Sequence, residues 1–179
     1  GPGQDVDDSK DQGEDEYNEY FGDLEATNLM SGMVGQKPEL HVQYTDPDFI
    51  QSQMNFSVSL LKESMAEKPG ENTLISPLSV SMLLAMTANG ANGTTKSEFC
   101  QLLAGERDLE KLNEWMYTYR RILPSNAKCK CSIANSIWFR DLKEFRVNET
   151  FLQTNANYYK ASAYAAPFDD TTVKDINQW

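Results

Sequence analysis

The sequence predicts an α+β fold, and three stretches carry that prediction. Leu109, Leu112, Met116, Tyr119 and Leu123 step by 3, 4, 3 and 4, the period of a helix with one buried face. Residues 128–140 alternate: Cys129, Cys131, Ile133, Asn135, Ile137 and Phe139 share one side, as in a long strand buried on that side. The third stretch is Asn72–Thr95, NTLISPLSVSMLLAMTANGANGTT, which predicts a buried helix with a signal at each end. Ser76 offers a hydroxyl to the first free N–H groups, and Pro77 presets the first helical φ. Leu78, Val80, Met82, Leu83, Leu84 and Met86 leave no polar face, which predicts burial in a core. The run is too short for a bilayer, which takes ~20 such residues. Asn89-Gly90 predicts a left-handed C-cap, and Thr95-x-x-Glu98 a capping box for the next helix.

A chain of 179 residues can bury one real core. The net charge of −11 is concentrated at one end. Residues 1–27 hold ten acids and one base, a charge of −9; the remaining 17 acids and 15 bases give −2. Neither part has the basic footprint of a nucleic-acid binder. Cys100, Cys129 and Cys131 imply no disulfide framework. Cys129 and Cys131 are expected on one strand face as small buried hydrophobes. No signal peptide or transmembrane run is visible, and Gly1-Pro2 reads as the scar of a cleaved tag.

Taken in order, residues 1–44 read as an acidic, disordered tail. Within it, Glu16, Tyr17, Glu19, Tyr20, Phe21 and Asp23 set aromatics among carboxylates. They read as a solubilising spacer or as a tail that docks on a basic partner surface. His41, the single histidine, is expected to be solvent-exposed. The body, residues 45–179, opens on the Asp46-Pro47 cap. Phe49, Gln53, Phe56 and Leu60 follow at helical spacing, widened by Ile50, Met54, Val58, Leu61 and Met65, up to Lys68-Pro69-Gly70. A short helix is expected from about Thr95 to Leu103, closed by Gly105. Arg107, Lys111, Arg120 and Arg121 on or beside the next helix form either a polyanion site or, with Glu106, Glu110 and Glu114 interleaved, a solvated face. Asn135 stands on the buried side of its strand and needs partners, because an unpaired buried amide costs ~1–3 kcal/mol. Asn148 caps a helix carrying Phe151, Asn155 and Tyr158; Ala161–Ala165 predict a short strand. Asp170 or Thr171 caps a last helix with Val173, Ile176 and Trp179 on one face. That helix has no stop signal, as in a chain cut within a helix.

These residues resemble the serpin family of serine (and sometimes cysteine) protease inhibitors. Asn72-x-Leu74-Ile75-Ser76-Pro77-Leu78-Ser79-Val80 is similar to the run from sheet B into helix B, and Asn89-Gly90-Ala91-x-Gly93-x-Thr95 to the turn into helix C. Ala134-Asn135-Ser136-Ile137-Trp138 resembles the second strand of sheet A. Phe151, Tyr158-Tyr159, Ala161, Phe168 and Val173-x-x-Ile176-Asn177-x-Trp179 resemble helix E, the next strand and the start of helix F. The resemblance covers the body and implies the N-terminal portion of the serpin fold, helices A to the start of F with strands of sheets A and B, incomplete as a stand-alone domain. The cysteine-poor style also suits a bacterial member.

The resemblance implies a metastable inhibitor. A complete serpin offers a reactive-centre loop, becomes acyl-linked to the protease that cuts it, and inserts the loop into sheet A. Ser76, Ser79 and Asn135 match the family's shutter region, where they would balance the closed and opened sheet. The reactive centre lies outside this chain, so no catalytic residue, metal site or cofactor is implied, and the chain alone is expected not to inhibit. The implied partners are a target protease, engaged through the missing half, and a complementary C-terminal fragment, with no nucleic acid and no direct membrane insertion. The implied location is extracellular or at the cell surface. A non-inhibitory serpin acting as chaperone, carrier or storage protein is the alternative, with the acidic tail binding a basic exosite. An enzyme has no support in nucleophile-elbow, phosphate-loop or metal spacing.

Overall fold

A computed structural model describes residues 23–105, 107–126, 129–131 and 133–179. Four helices form the core: α1 (Pro47–Glu67), α2 (Pro77–Ala88), α3 (Gly93–Ala104) and α4 (Leu109–Arg121). Met82, Ala85 and Met86 of α2 meet Leu103 of α3 and Leu112 and Met116 of α4, all fully buried. Phe49 of α1 stacks on Trp115 of α4 at 4.8 Å between ring centres. Asp46 caps α1 by accepting from the N–H groups of Asp48 and Phe49, as its position before Pro47 predicts.

A three-stranded sheet lies beside these helices. Its order is β1 (Thr27–Asn28), β5 (Ser162–Ala166), β4 (Ser136–Arg140), with β4 and β5 parallel and β1 antiparallel to β5. Parallel strands need a crossover, and α5 (Glu149–Tyr159) supplies it. Asn148 caps α5 through the N–H groups of Thr150 and Phe151. Trp138 and Tyr164 stack across the β4–β5 pair at 4.7 Å. Ile133 and Ile137 pack against the helical core. A small hairpin joins β2 (Ser125–Asn126) to β3 (Cys129–Lys130), and α6 (Asp170–Gln178) ends the described chain.

Several sequence expectations are corrected. The long alternating strand is broken into β3 and β4, because the Cys131 N–H turns back to the Pro124 carbonyl at 3.0 Å. Cys131 is therefore exposed, not buried, whereas Cys100 is buried. Gly90 takes no left-handed turn; Gly93 does, at φ 56°. It opens α3, which begins before Thr95 and has Asn92 at its N-cap with no side-chain cap bond, so no capping box forms there. The capping box belongs to α6, where Asp169 and Thr172 satisfy each other's backbone. Val173 and Ile176 of α6 face solvent at 57% and 45% exposure, while Thr172 and Asp175 are the buried pair. On α1 the widening residues Ile50, Met54, Val58, Leu61 and Met65 are exposed, and Phe49 and Phe56 carry the packing.

The expected disordered tail differs from the structure in its second part. Residues 23–46 run along the body as a strap. The Leu29 N–H donates to the Ala163 carbonyl at 2.8 Å beside the β1–β5 pairing. The Gln36 N–H donates to Asn157 Oδ1 at 2.7 Å, and Gln153 Nε2 to the Val34 carbonyl at 3.0 Å. Gly35 lets the strap lie flat on α5: a Cβ there would sit 2.7 Å from the Ala156 carbonyl oxygen. Composition hides this, because the strap is held by backbone groups and amides rather than by an apolar run. Tail residues Glu16, Tyr17, Glu19, Tyr20 and Phe21 lie outside the described residues; Asp23 is exposed.

Candidate functional site

The three predicted shutter residues sit at two element starts. Ser76 precedes α2, and its Oγ accepts from the Ser79 N–H at 3.4 Å and lies 2.9 Å from Ser79 Oγ. The pair thus closes the first turn of α2 with two hydroxyls, one exposed and one half-buried. Asn135 stands immediately before β4, half-buried, and its carbonyl accepts from the Ser162 N–H at 3.1 Å. Among the described residues no hydrogen bond joins Asn135 to Ser76 or Ser79, so the structure brings the two serines together without the asparagine.

Behind α2 lies a buried polar cluster that sequence reading missed. Asn89, at the end of α2, exchanges two amide bonds with Asn113 of α4, at 2.8 and 3.1 Å. Tyr159 of α5 donates its hydroxyl to Asn113 Oδ1 at 2.6 Å. Asn155, 2% exposed, donates to the Phe151 carbonyl at 3.1 Å, with Asn89 Nδ2 3.5 Å from its Oδ1. Burial pushes the Tyr159 hydroxyl well above the usual tyrosine range, so it stays a neutral donor. A second chain runs from Ser81 Oγ to Gln53 Oε1 and from Gln53 Nε2 to the Leu103 carbonyl, each at 2.7 Å. Together these bonds fix α2 against α1, α3, α4 and α5. Networks of this kind specify one packing when every member is satisfied. The available signal was an asparagine at core spacing: Asn113 lies one turn from Leu109, and Asn155 one turn from Phe151.

The cluster has no chemistry of its own, since amides and a neutral phenol hold protons without passing them on. Elsewhere, His41 meets Glu114 at 3.2 Å and Glu39 at 3.5 Å, two carboxylates with no hydroxyl or thiol among its hydrogen-bond partners. Among the described residues no group of three or more His, Cys, Asp or Glu side chains could hold a metal. No described helix is long and apolar enough to cross a membrane. Arg107, paired with Asp48, and Lys111 line one open cavity, while Arg120 and Arg121 lie over the Tyr117 ring at 5.7 and 5.6 Å, so the four basic residues fall into two pairs rather than one site.

A family model described as serpin (serine protease inhibitor) matches residues 51–179. The solved structure of a thermophilic serpin, tengpin, in its native state is similar at 42% identity and a TM-score of 0.79. The match covers 87% of this chain and 39% of tengpin's. Tengpin in its latent state gives a TM-score of 0.70 over 80% of this chain and 37% of that one. Among curated proteins, corticosteroid-binding globulin of Ovis aries is 28% identical over 138 residues, 74% of this chain and 32% of its own length. The chain thus spans about a third of the curated relatives it matches. It belongs to the serpin family and carries an N-terminal portion of the serpin fold.

Proposed function

We propose that this chain is the N-terminal part of a protease inhibitor. When complete, it would trap a serine or cysteine protease by cleavage of a reactive-centre loop and insertion of that loop into sheet A. The observation that carries this reading is the sheet order β1-β5-β4. Within a fold matched to the native state of a serpin, β4 ends the described sheet with its outer edge unpaired. That edge is where the sheet would continue and later widen. In this reading the chain is not an enzyme. Residues 45–179 are the N-terminal part of a serpin domain, residues 1–44 are its acidic extension, and the protein works outside the cell or at its surface. Ser76, Ser79 and Asn135 would set the balance between the closed and opened sheet; their places at the start of α2 and immediately before β4 support this reading.

The missing remainder is also a partner in the physical sense. Ile50, Met54, Val58, Leu61 and Met65 line one exposed face of α1, and a complementary C-terminal part would cover it. The relatives named corticosteroid-binding globulin favour a second reading, a carrier that inhibits nothing, with the tail residues Glu16, Tyr17, Glu19, Tyr20, Phe21 and Asp23 meeting a basic surface.

The test mixes serine proteases with this chain, alone and extended by the remainder of a serpin fold, each with and without residues 1–44 at low and high salt. We expect an SDS-stable complex only from the extended protein. A complex formed by the 179-residue chain, or cleavage of the extended protein without a complex, overturns the inhibitory reading. A tail that acts on a basic exosite speeds association only at low salt.

A further inference from the structure

The strap is pinned near both ends by buried carboxylates. Near its start, Glu25 and Ala26 donate main-chain N–H groups to the two oxygens of Asp175, at 3.2 and 2.7 Å, and Asp175 is 5% exposed. Near its end, the His41 N–H donates to Glu114, and the His41 ring lies 3.2 Å from the same carboxylate. The Glu114 side chain is 3% exposed and the His41 ring 63%. A buried carboxylate is costly unless its charge is met. Asp175 is met by fixed backbone dipoles, whereas Glu114 is met in part by an imidazole, the side chain whose charge changes near neutrality.

We propose that His41 and Glu114 form a protonation-dependent clip that fastens the strap to α4, tight in mildly acidic solution and loosened as the solution becomes alkaline.

The groups around the ring mostly favour its charged form. The hydrogen bond to Glu114 raises the His41 pKa above 6.5 most, followed by the charge of Glu114; desolvation opposes them, and Glu39 and Glu110 add smaller increases. Asp46, Arg107 and Lys111 line the same open cavity as His41, and the first of the two cations is already paired with Asp48. From the α5 side, the Tyr158 hydroxyl is raised by burial, then by Glu114 and Glu110, and stays neutral. A group whose pKa is raised on folding stabilises the folded contact fully below its unfolded value, and that contribution is lost as pH climbs past the folded value. The clip is therefore complete below about 6.5 and fades above the folded value.

His41 is the single histidine, so its ring proton signals titrate without overlap. We expect a midpoint above 6.5 in the 179-residue chain and a return toward 6.5 in Glu114→Gln. Amide protection of residues 34–45, corrected for intrinsic exchange, falls between pH 6 and pH 9 in the parent chain and is flat in His41→Gln. A parent midpoint at or below the ordinary value, an equal midpoint in Glu114→Gln, or pH-independent strap protection in the parent each overturns the clip. The parent titration decides by itself if a variant fails to fold.

Discussion

Replacing Asn113 with alanine removes the hub of the buried amide cluster. The Asn113 side chain accepts from Tyr159 Oη and Asn89 Nδ2 and donates to Asn89 Oδ1. Tyr159 is 2% exposed, so its hydroxyl would lose its acceptor with little water to replace it. An orphaned buried group of this kind costs ~1–3 kcal/mol. Asn89 is half-buried and keeps its bond to the Ala85 carbonyl, so its loss is smaller, ~0.5–1.5 kcal/mol. Asn113→Ala should thus cost about 1.5–4.5 kcal/mol. Tyr159→Phe alone should cost about 1–2 kcal/mol, but in the Asn113→Ala background the hydroxyl is already orphaned, so removing it costs nothing and recovers part of that loss. The coupling energy from the two singles and the double is then at least about 1–2 kcal/mol, within the range for residues in contact. Urea unfolding followed by tryptophan fluorescence measures it, provided the slope with denaturant is shared by all four proteins. Strictly additive losses would refute the reasoning, because they would mean that Tyr159 Oη finds another partner when Asn113 is gone.

Two further predictions concern the strap and the shutter. Gly35→Ala places a Cβ 2.7 Å from the Ala156 carbonyl, a backbone atom that cannot swing aside, so the strap should lift from α5. Limited proteolysis should cut residues 23–46 faster in that variant, and an unchanged cutting rate sinks the close-packing argument. Asn135→Ala in a full-length relative should change the rate of latency or polymerisation; thermal stability and inhibition rate both equal to the parent would remove it from the switch.

The helices were legible because their signals are local. Asp46-Pro47 and Ser76-Pro77 each announce a cap and a first turn, and both form. The β4–β5 pair was only partly legible: a strand forms over residues 136–140, but Ser136, Ile137, Trp138 and Phe139 are all half-buried, so the expected alternation of buried and exposed faces is not seen there. What failed was legible only in three dimensions. Residues 128–140 alternate without interruption, yet the chain turns back at Cys131 because a hairpin gives its N–H a carbonyl at Pro124. The strap failed for a different reason. Its composition was read together with the acid-rich residues that precede it, and its attachment uses groups that composition does not count: main-chain N–H donors, two buried carboxylates and the amides of Gln153 and Asn157. The candidate shutter residues were visible in the sequence as a cap and an unmatched polar side chain, whereas the Asn89–Asn113–Asn155 cluster was not, since no local rule pairs asparagines on three different helices.

Helix α6 shows how one buried carboxylate redirects a face. By periodicity, Val173 and Ile176 should turn inward, and a helix rotated that way would put Asp175 nearer solvent. Instead Asp175 is buried and the two apolar side chains are out. The strap supplies the reason: the Glu25 and Ala26 N–H groups sit where Asp175 can accept both, so the carboxylate satisfies two backbone donors that would otherwise be without partners. Two aliphatic side chains left half in water forgo less than a buried strap end with two unmade bonds would cost, because each unmade bond costs ~1–3 kcal/mol and part of the burial is lost rather than all of it. The same balance explains Glu114, a carboxylate on the core side of α4 that only the strap makes tolerable. The acid–strap contact at Asp175 thus favours an orientation of α6 opposite to its apolar periodicity, whereas α4 packs on the face its periodicity predicts and the contact at Glu114 accounts for the buried acid it carries.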